Sequence, residues 1–147
     1  MELTTAMLAD GAHVAAGKLY ILGGQWDRLM VTSFPAQHPA MTVVIVLKIE
    51  YNEALRNIDL AVNLTLDGQP CDASAFVRFS TGHPAGTLPG APLFVPLAIP
   101  FSNLTFGAPG RYEWVINADQ KELGRLPLQV DQAQNPVVPM PPALPPQ

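Results

Sequence analysis

From Asn57 to Leu66 the chain alternates without a break. Ile58, Leu60, Val62, Leu64 and Leu66 fall on one side, and Asn57, Asp59, Ala61, Asn63 and Thr65 on the other. A side-chain period of two belongs to a strand with one buried face. It excludes a helix, whose apolar positions recur every three to four residues. The run before it, Met41 to Tyr51, is a second strand. Met41, Val43, Ile45, Leu47 and Ile49 share a face, but Val44 and Val46 make the opposite face apolar as well. The first half of this strand therefore needs cover on both sides. A short polar turn separates the two runs, which together read as a hairpin. Asn52 to Arg56 can form one helical turn there, with Asn52 as its cap.

The flanking segments follow the same pattern. Glu2 to Ala9 is compatible with a strand, and Asp10-Gly11 marks a turn. Lys18 to Leu22 reads as a strand, and Gly23-Gly24 as a bulge or a close backbone approach. Gln25 to Val31 resumes the strand, and Phe34-Pro35 and His38-Pro39 open a loop. Asp67-Gly68 is a strong turn signal, followed by a strand from Ala73 to Phe79. Ser80 to Pro92 is a glycine- and proline-rich loop. Leu93, Val95, Leu97, Ile99 and Phe101 then share a face, with Pro96 and Pro100 on the other. Proline cannot donate to a ladder, so this is an edge strand. Arg111 to Asn117 and Glu122 to Val130 form a hairpin about Ala118-Asp119-Gln120, with an irregularity at Gly124.

No segment of helical length shows a helical period. Seven to nine strands joined by turns read as an antiparallel β-sandwich, immunoglobulin-like or jelly-roll-like, with a β-barrel as the alternative. Residues 1–130 form one such domain and 131–147 a proline-rich tail. Six prolines in the last twelve residues exclude a central strand or a helix interior. They leave polyproline II or disorder.

Only 14% of residues are charged, against about 25% in a typical globular domain. Uncharged surface on that scale points to contact sites. Net charge is −4 and the basic residues are scattered, so the basic footprint of a nucleic-acid binder is missing. Cys71 is alone, which fits a reducing compartment. The N-terminus lacks the pattern of a secretory signal. The most apolar run, Met41 to Leu47, falls short of the ~20 residues of a membrane helix. A soluble, cytoplasmic protein is the expectation.

Catalytic constellations are missing. His13, His38 and His83 lack the spacing of metal ligands, and no cofactor motif occurs. Cys71 has no base placed beside it. The nucleophile-elbow pattern is absent, and the glycines at 82, 86 and 90 precede no helix that could cradle a phosphate. Glu50, Glu53, Asp59 and Glu113 read as solvent-facing by alternation. The most distinctive cluster is Trp26-Asp27-Arg28. A core tryptophan beside a surface ion pair accounts for it. The competing reading is a small-ligand or carbohydrate site that adds His83 and the loop from Ser80 to Pro92. In the tail, Val137, Val138, Met140 and Leu144 are candidates to pack on a neighbouring subunit or back on the sandwich. The leading expectation is a non-enzymatic domain that works through protein contacts or self-assembly, with small-ligand binding as the alternative.

Two stretches carry a family resemblance. The first is Leu8-Ala9-Asp10 with Gly17-Lys18-Leu19-Tyr20-Ile21-Leu22-Gly23-Gly24 and Trp26-Asp27. The second is Ala108-Pro109-Gly110-Arg111-Tyr112-Glu113 with Leu126-Pro127-Leu128-Gln129-Val130. Over about residues 5 to 130 the chain resembles a family of small uncharacterised bacterial proteins, a domain of unknown function. The resemblance implies a bacterial cytosolic β domain and carries over no catalytic residue.

Overall fold

The computed structural model describes residues 1–134 and 145–146. It contains nine strands: β1 (Glu2–Ala15), β2 (Lys18–Trp26), β3 (Arg28–Val31), β4 (Ala36–Ile49), β5 (Asn57–Leu66), β6 (Gln69–Ser80), β7 (Leu93–Phe106), β8 (Gly110–Ala118) and β9 (Lys121–Gln132). One sheet has the order β2-β1-β4-β7 and the other β3-β9-β8-β5-β6. The expected all-β architecture is present, as two curled sheets facing each other across one core. One pairing departs from the antiparallel expectation, because β3 runs parallel to β9.

Three hairpins close on two-residue turns, at Ala16-Gly17, Asp67-Gly68 and Asp119-Gln120. Both central residues of each have positive φ, at 50° and 72°, 49° and 79°, and 49° and 67°. Turns of this hand match the twist of the strands they join. The last turn holds two non-glycine residues in the left-handed region, and Asp119 supplies the compensation. Its carboxylate accepts from the Asp59 backbone N–H at 3.0 Å and from Arg56 at 2.6 Å.

The pair of runs from Met41 to Leu66 is not a hairpin. β4 and β5 lie in different sheets. Their connection, residues 50–56, is too long for a tight turn and contains a 3₁₀ turn at Tyr51–Glu53. The Glu53 N–H donates to the Glu50 carbonyl at 2.9 Å, and the Glu50 N–H donates to the Glu53 carboxylate at 3.1 Å. Glu50, not Asn52, therefore caps the turn. The apolar faces of β4 and β5 meet across the core instead of lying side by side. Trp114 and Phe106 are the largest side chains sealed there, with Met41, Ile45, Leu47, Ile58 and Leu60 among their companions. Full burial of such a side chain contributes about 1.5–3 kcal/mol. Phe101 lies against Trp114, ring centroids 4.3 Å apart.

The second face of β4 is covered as its apolar pattern requires. Thr42 and Val44 are 4% and 0% exposed on the side away from the core. Their sheet curls so far that β2 approaches β7 across two intervening strands. Small residues line the curl: Ala9 pairs with Thr42 and with Gly24, and Ala98 pairs with Val44. A Cβ on Gly24 would stand 2.9 Å from Ile21 Cγ2 and 3.2 Å from Met7 Sδ, side-chain atoms rather than backbone, so of the two readings of Gly23-Gly24 the bulge is the one present, at the adjoining Gln25.

Three local expectations need correction. The strand does not turn at Asp10-Gly11, because the chain stays extended through both and turns at Ala16-Gly17. The irregularity falls instead between Leu8 and Ala9, opposite Trp26 and Gly24, which leaves Gln25 as the extra residue with φ of 67°. Gln25 to Val31 is not one strand, since Trp26 ends β2 in one sheet and Arg28 begins β3 in the other. His38-Pro39 belongs to β4, paired with β7 through His38 and Leu104. The edge position of β7 and the irregularity near Gly124 are as read from the sequence.

Candidate functional site

β1 parts from β4 beyond Ala9, whose partner there is Thr42. It continues to Ala15 paired with β2 alone. The outer half of this hairpin therefore projects from the sandwich with both faces open. Tyr20 and Leu22 are 50% and 76% exposed, with Val14 and Ile21 close to 40%. His13 stacks flat on Tyr20, ring centroids 5.0 Å apart. Gly11, Ala12, His13, Tyr20, Ile21 and Leu22 line an apolar groove of about 430 Å³.

The four sheet edges are treated differently. β7 carries Pro96 and Pro100, which remove N–H donors from its open side. β3 has only four residues. β6 carries Pro70, Asp72 and Arg78. Short length, proline and charge are the usual means of blunting an edge. β2 carries only Lys18 at its start and the bulge at Gln25 near its end, and none of these from Leu19 to Gly24. Isolated exposed apolar residues such as Phe76 are ordinary, but on β2 they coincide with an open, unblunted ladder.

The Trp26-Asp27-Arg28 cluster is the point where the chain passes from one sheet to the other. Trp26 is half-buried against the core, and its Nε1–H donates to the Gly23 carbonyl at 2.9 Å. The Asp27 carbonyl accepts from the Gln129 N–H at 2.8 Å. Asp27 and Arg28 line a polar cleft of about 400 Å³ with Arg111, Glu113, Pro127 and Gln129. Trp26 does not line it. Neither does His83, which stacks on Tyr51 at 4.0 Å beyond the far end of β4. The structure thus brings together Asp27 and Arg28 and separates them from the other two expected ligand residues. Arg111 and Gln129 escaped the sequence reading. Their one signal is alternation, which turns both outward next to inward Tyr112 and Leu128. Val137, Val138, Met140 and Leu144 lie outside the described residues.

A third cleft, of about 510 Å³, opens between β6 and β7 and includes Cys71, Asp72, Ser74, Ser102 and Thr105. Partial burial, and then the charge of Asp72, push the Cys71 thiol up from its ordinary value. It stays protonated at neutral pH, and no histidine lines the cleft. Among the described residues no three of His, Cys, Asp and Glu are grouped as metal ligands would be. The histidines meet aromatic rings instead, His13 with Tyr20, His38 with Trp26 and His83 with Tyr51. Among the described residues no helix is long and apolar enough to cross a membrane.

Two curled sheets, a projecting apolar hairpin and shallow polar clefts define an all-β domain of sandwich or half-barrel type. The model of DUF6941, a family of unknown function, matches residues 4–131, and the chain belongs to that family. No curated protein and no solved structure matches it.

Proposed function

We propose that the protein is a non-enzymatic interaction domain that self-associates through the β1–β2 hairpin. The observation that supports this reading is the outer edge of β2, open and unblunted, beside exposed Tyr20 and Leu22. In a two-fold dimer the same patch serves both partners. β2 of one copy would lie antiparallel to β2 of the other and continue the ladder, with apolar side chains meeting across the axis. Lys18 is the one charged residue in the strand, so a copy of a chain with net charge −4 meets little repulsion there. The lone free cysteine is in keeping with a reducing, cytoplasmic setting.

Sedimentation equilibrium tests the proposal. Wild type should dimerise at micromolar concentration, and Leu22→Lys should weaken the dimer at least tenfold, because a charge would be buried at its centre. Leu88→Lys, exposed in the loop between β6 and β7, should leave it unchanged. A wild-type protein that stays monomeric through the millimolar range would overturn the reading.

A further inference from the structure

We propose that the cleft over β3, β9 and β8 binds a small oxyanion, a carboxylate or phosphate group, between Arg28 and Arg111. This site is independent of the self-associating edge. Arg28 pairs with Gln129 in the parallel ladder, and Arg111 pairs with Gln129 in the antiparallel one. The three residues form one row across the sheet, on the face opposite buried Leu128 and Val130. Adjacent strands are about 4.8 Å apart, which sets the two arginine Cα atoms about 10 Å apart. Side chains as long as arginine's can reach one group from that spacing.

The arginines of this chain divide into two sets. Arg56 holds Asp119 at 2.6 Å, Arg78 holds Asp59 at 2.6 Å and Arg125 holds Glu122 at 2.8 Å. Arg28 reaches only Asp131, at 3.9 Å, and Arg111 pairs with no carboxylate among the described residues. The two arginines without a close partner are the two that line this cleft.

Each of two neighbouring acids has one other donor near it. Asp131 accepts from the Gln129 amide at 3.0 Å, and Glu113 lies 3.4 Å from Arg125. Asp27 remains, placed to accept from a hydroxyl or ammonium on the same ligand. A guanidinium offers a planar fork of donors that matches carboxylate and phosphate oxygens. Because the cleft is open, salt screens the interaction, and two charge-assisted contacts there fit a Kd on the order of 1 mM.

Side-chain Nε–Hε resonances of the arginines, followed by NMR during separate titrations with inorganic phosphate and with acetate, test the site. Saturable shifts of Arg28 and Arg111, with Arg78 and Arg125 unmoved, are expected for at least one anion. The anion that produces them identifies the ligand as tetrahedral or planar. Arg28→Gln and Arg111→Gln should each weaken binding about tenfold with unchanged thermal stability, since both side chains are exposed. Arg125→Gln should not weaken it. Non-saturating shifts, shifts spread over all the arginines, or equal weakening by Arg125→Gln would overturn the proposal.

Discussion

The phenolic hydroxyl of Tyr112 donates a 2.7 Å hydrogen bond to the carbonyl of Ala108. The Tyr112 ring meets Phe106 edge-on at 5.1 Å. Both contacts bind the start of β8 to the connection through which the chain leaves β7 and changes sheet. Tyr112→Phe keeps the ring and its packing but loses the hydroxyl. It should cost about 1 kcal/mol, seen as a fall in Tm of about 3 °C. No change in Tm would mean that the connection is held by packing alone.

Gly24 is exposed, but a methyl group there would press on the side chains of Ile21 and Met7. Gly24→Ala should cost about 1 kcal/mol, the low end of overpacking, because the neighbouring side-chain ends can shift. Gly68 has open space around it but a φ of 79°, so Gly68→Ala should cost about 1–2 kcal/mol through backbone strain alone. Adding Met7→Ala should restore part of the loss at Gly24 and none at Gly68, as read from urea midpoints at constant m-value.

Trp114 is fully buried, yet its Nε1–H has no hydrogen-bond partner. Trp114→Ala should cost about 3–5 kcal/mol, as for other large core truncations. Trp114→Phe should cost well under half of that, because it removes a buried unsatisfied donor together with the lost volume. Equal costs for the two variants would show that the indole N–H has a partner, such as a buried water.

The Asp59 backbone N–H, and after it Arg56, hold the Asp119 carboxyl below its ordinary value of 3.8. A lowered folded-state value means that the contribution to stability is complete above the unfolded value and is lost as pH falls through the folded one. Asp119→Asn should therefore lower stability near neutrality by about 0.5 kcal/mol, a small figure because the pair is exposed to solvent. The gap between wild type and variant should close below pH 3.8, the ordinary value. A gap that persists into strong acid would locate the effect in turn geometry instead.

Cys71 is half-buried with its thiol pushed up. Its alkylation by iodoacetamide at neutral pH should be slower than that of a free thiol, and should accelerate as pH rises. Asp72→Asn should speed it modestly by removing one contributing charge. Rapid labelling at pH 7 would contradict the protonated state assigned to the thiol.

Much of the architecture could be read from alternation, because alternation is a local consequence of the pleat. Ile58 to Leu66 points its apolar side inward, and the prolines of β7 place it at an edge. What alternation does not encode is the partner. A strand with an apolar face is equally satisfied beside its predecessor or opposite it, so β4 and β5 read as a hairpin although they face each other across the core. The same limit hid the Arg28-Gln129-Arg111 row, whose members meet only through β3–β9 and β8–β9 pairing. Asp10-Gly11 misled for a different reason. Turn-forming residues also suit a strand that has parted from one neighbour, where no β4 residue lies beside it. Trp26-Asp27-Arg28 marks the point where the chain passes from one sheet to the other.

The chain changes sheet after β2, β3, β4, β6 and β7, and this has a kinetic consequence. The three tight hairpins can form from local sequence as soon as their residues are available. Every other ladder joins distant segments, and the most distant, Arg28 with Gln129, cannot close until β9 exists. Chains dominated by such non-local pairing fold in milliseconds to seconds rather than microseconds. On the ribosome the first sheet would wait for β7, and β3 for the last strand of all. The open edge of β2 would meanwhile be exposed on an incomplete domain, at the stage when nascent chains are most prone to associate.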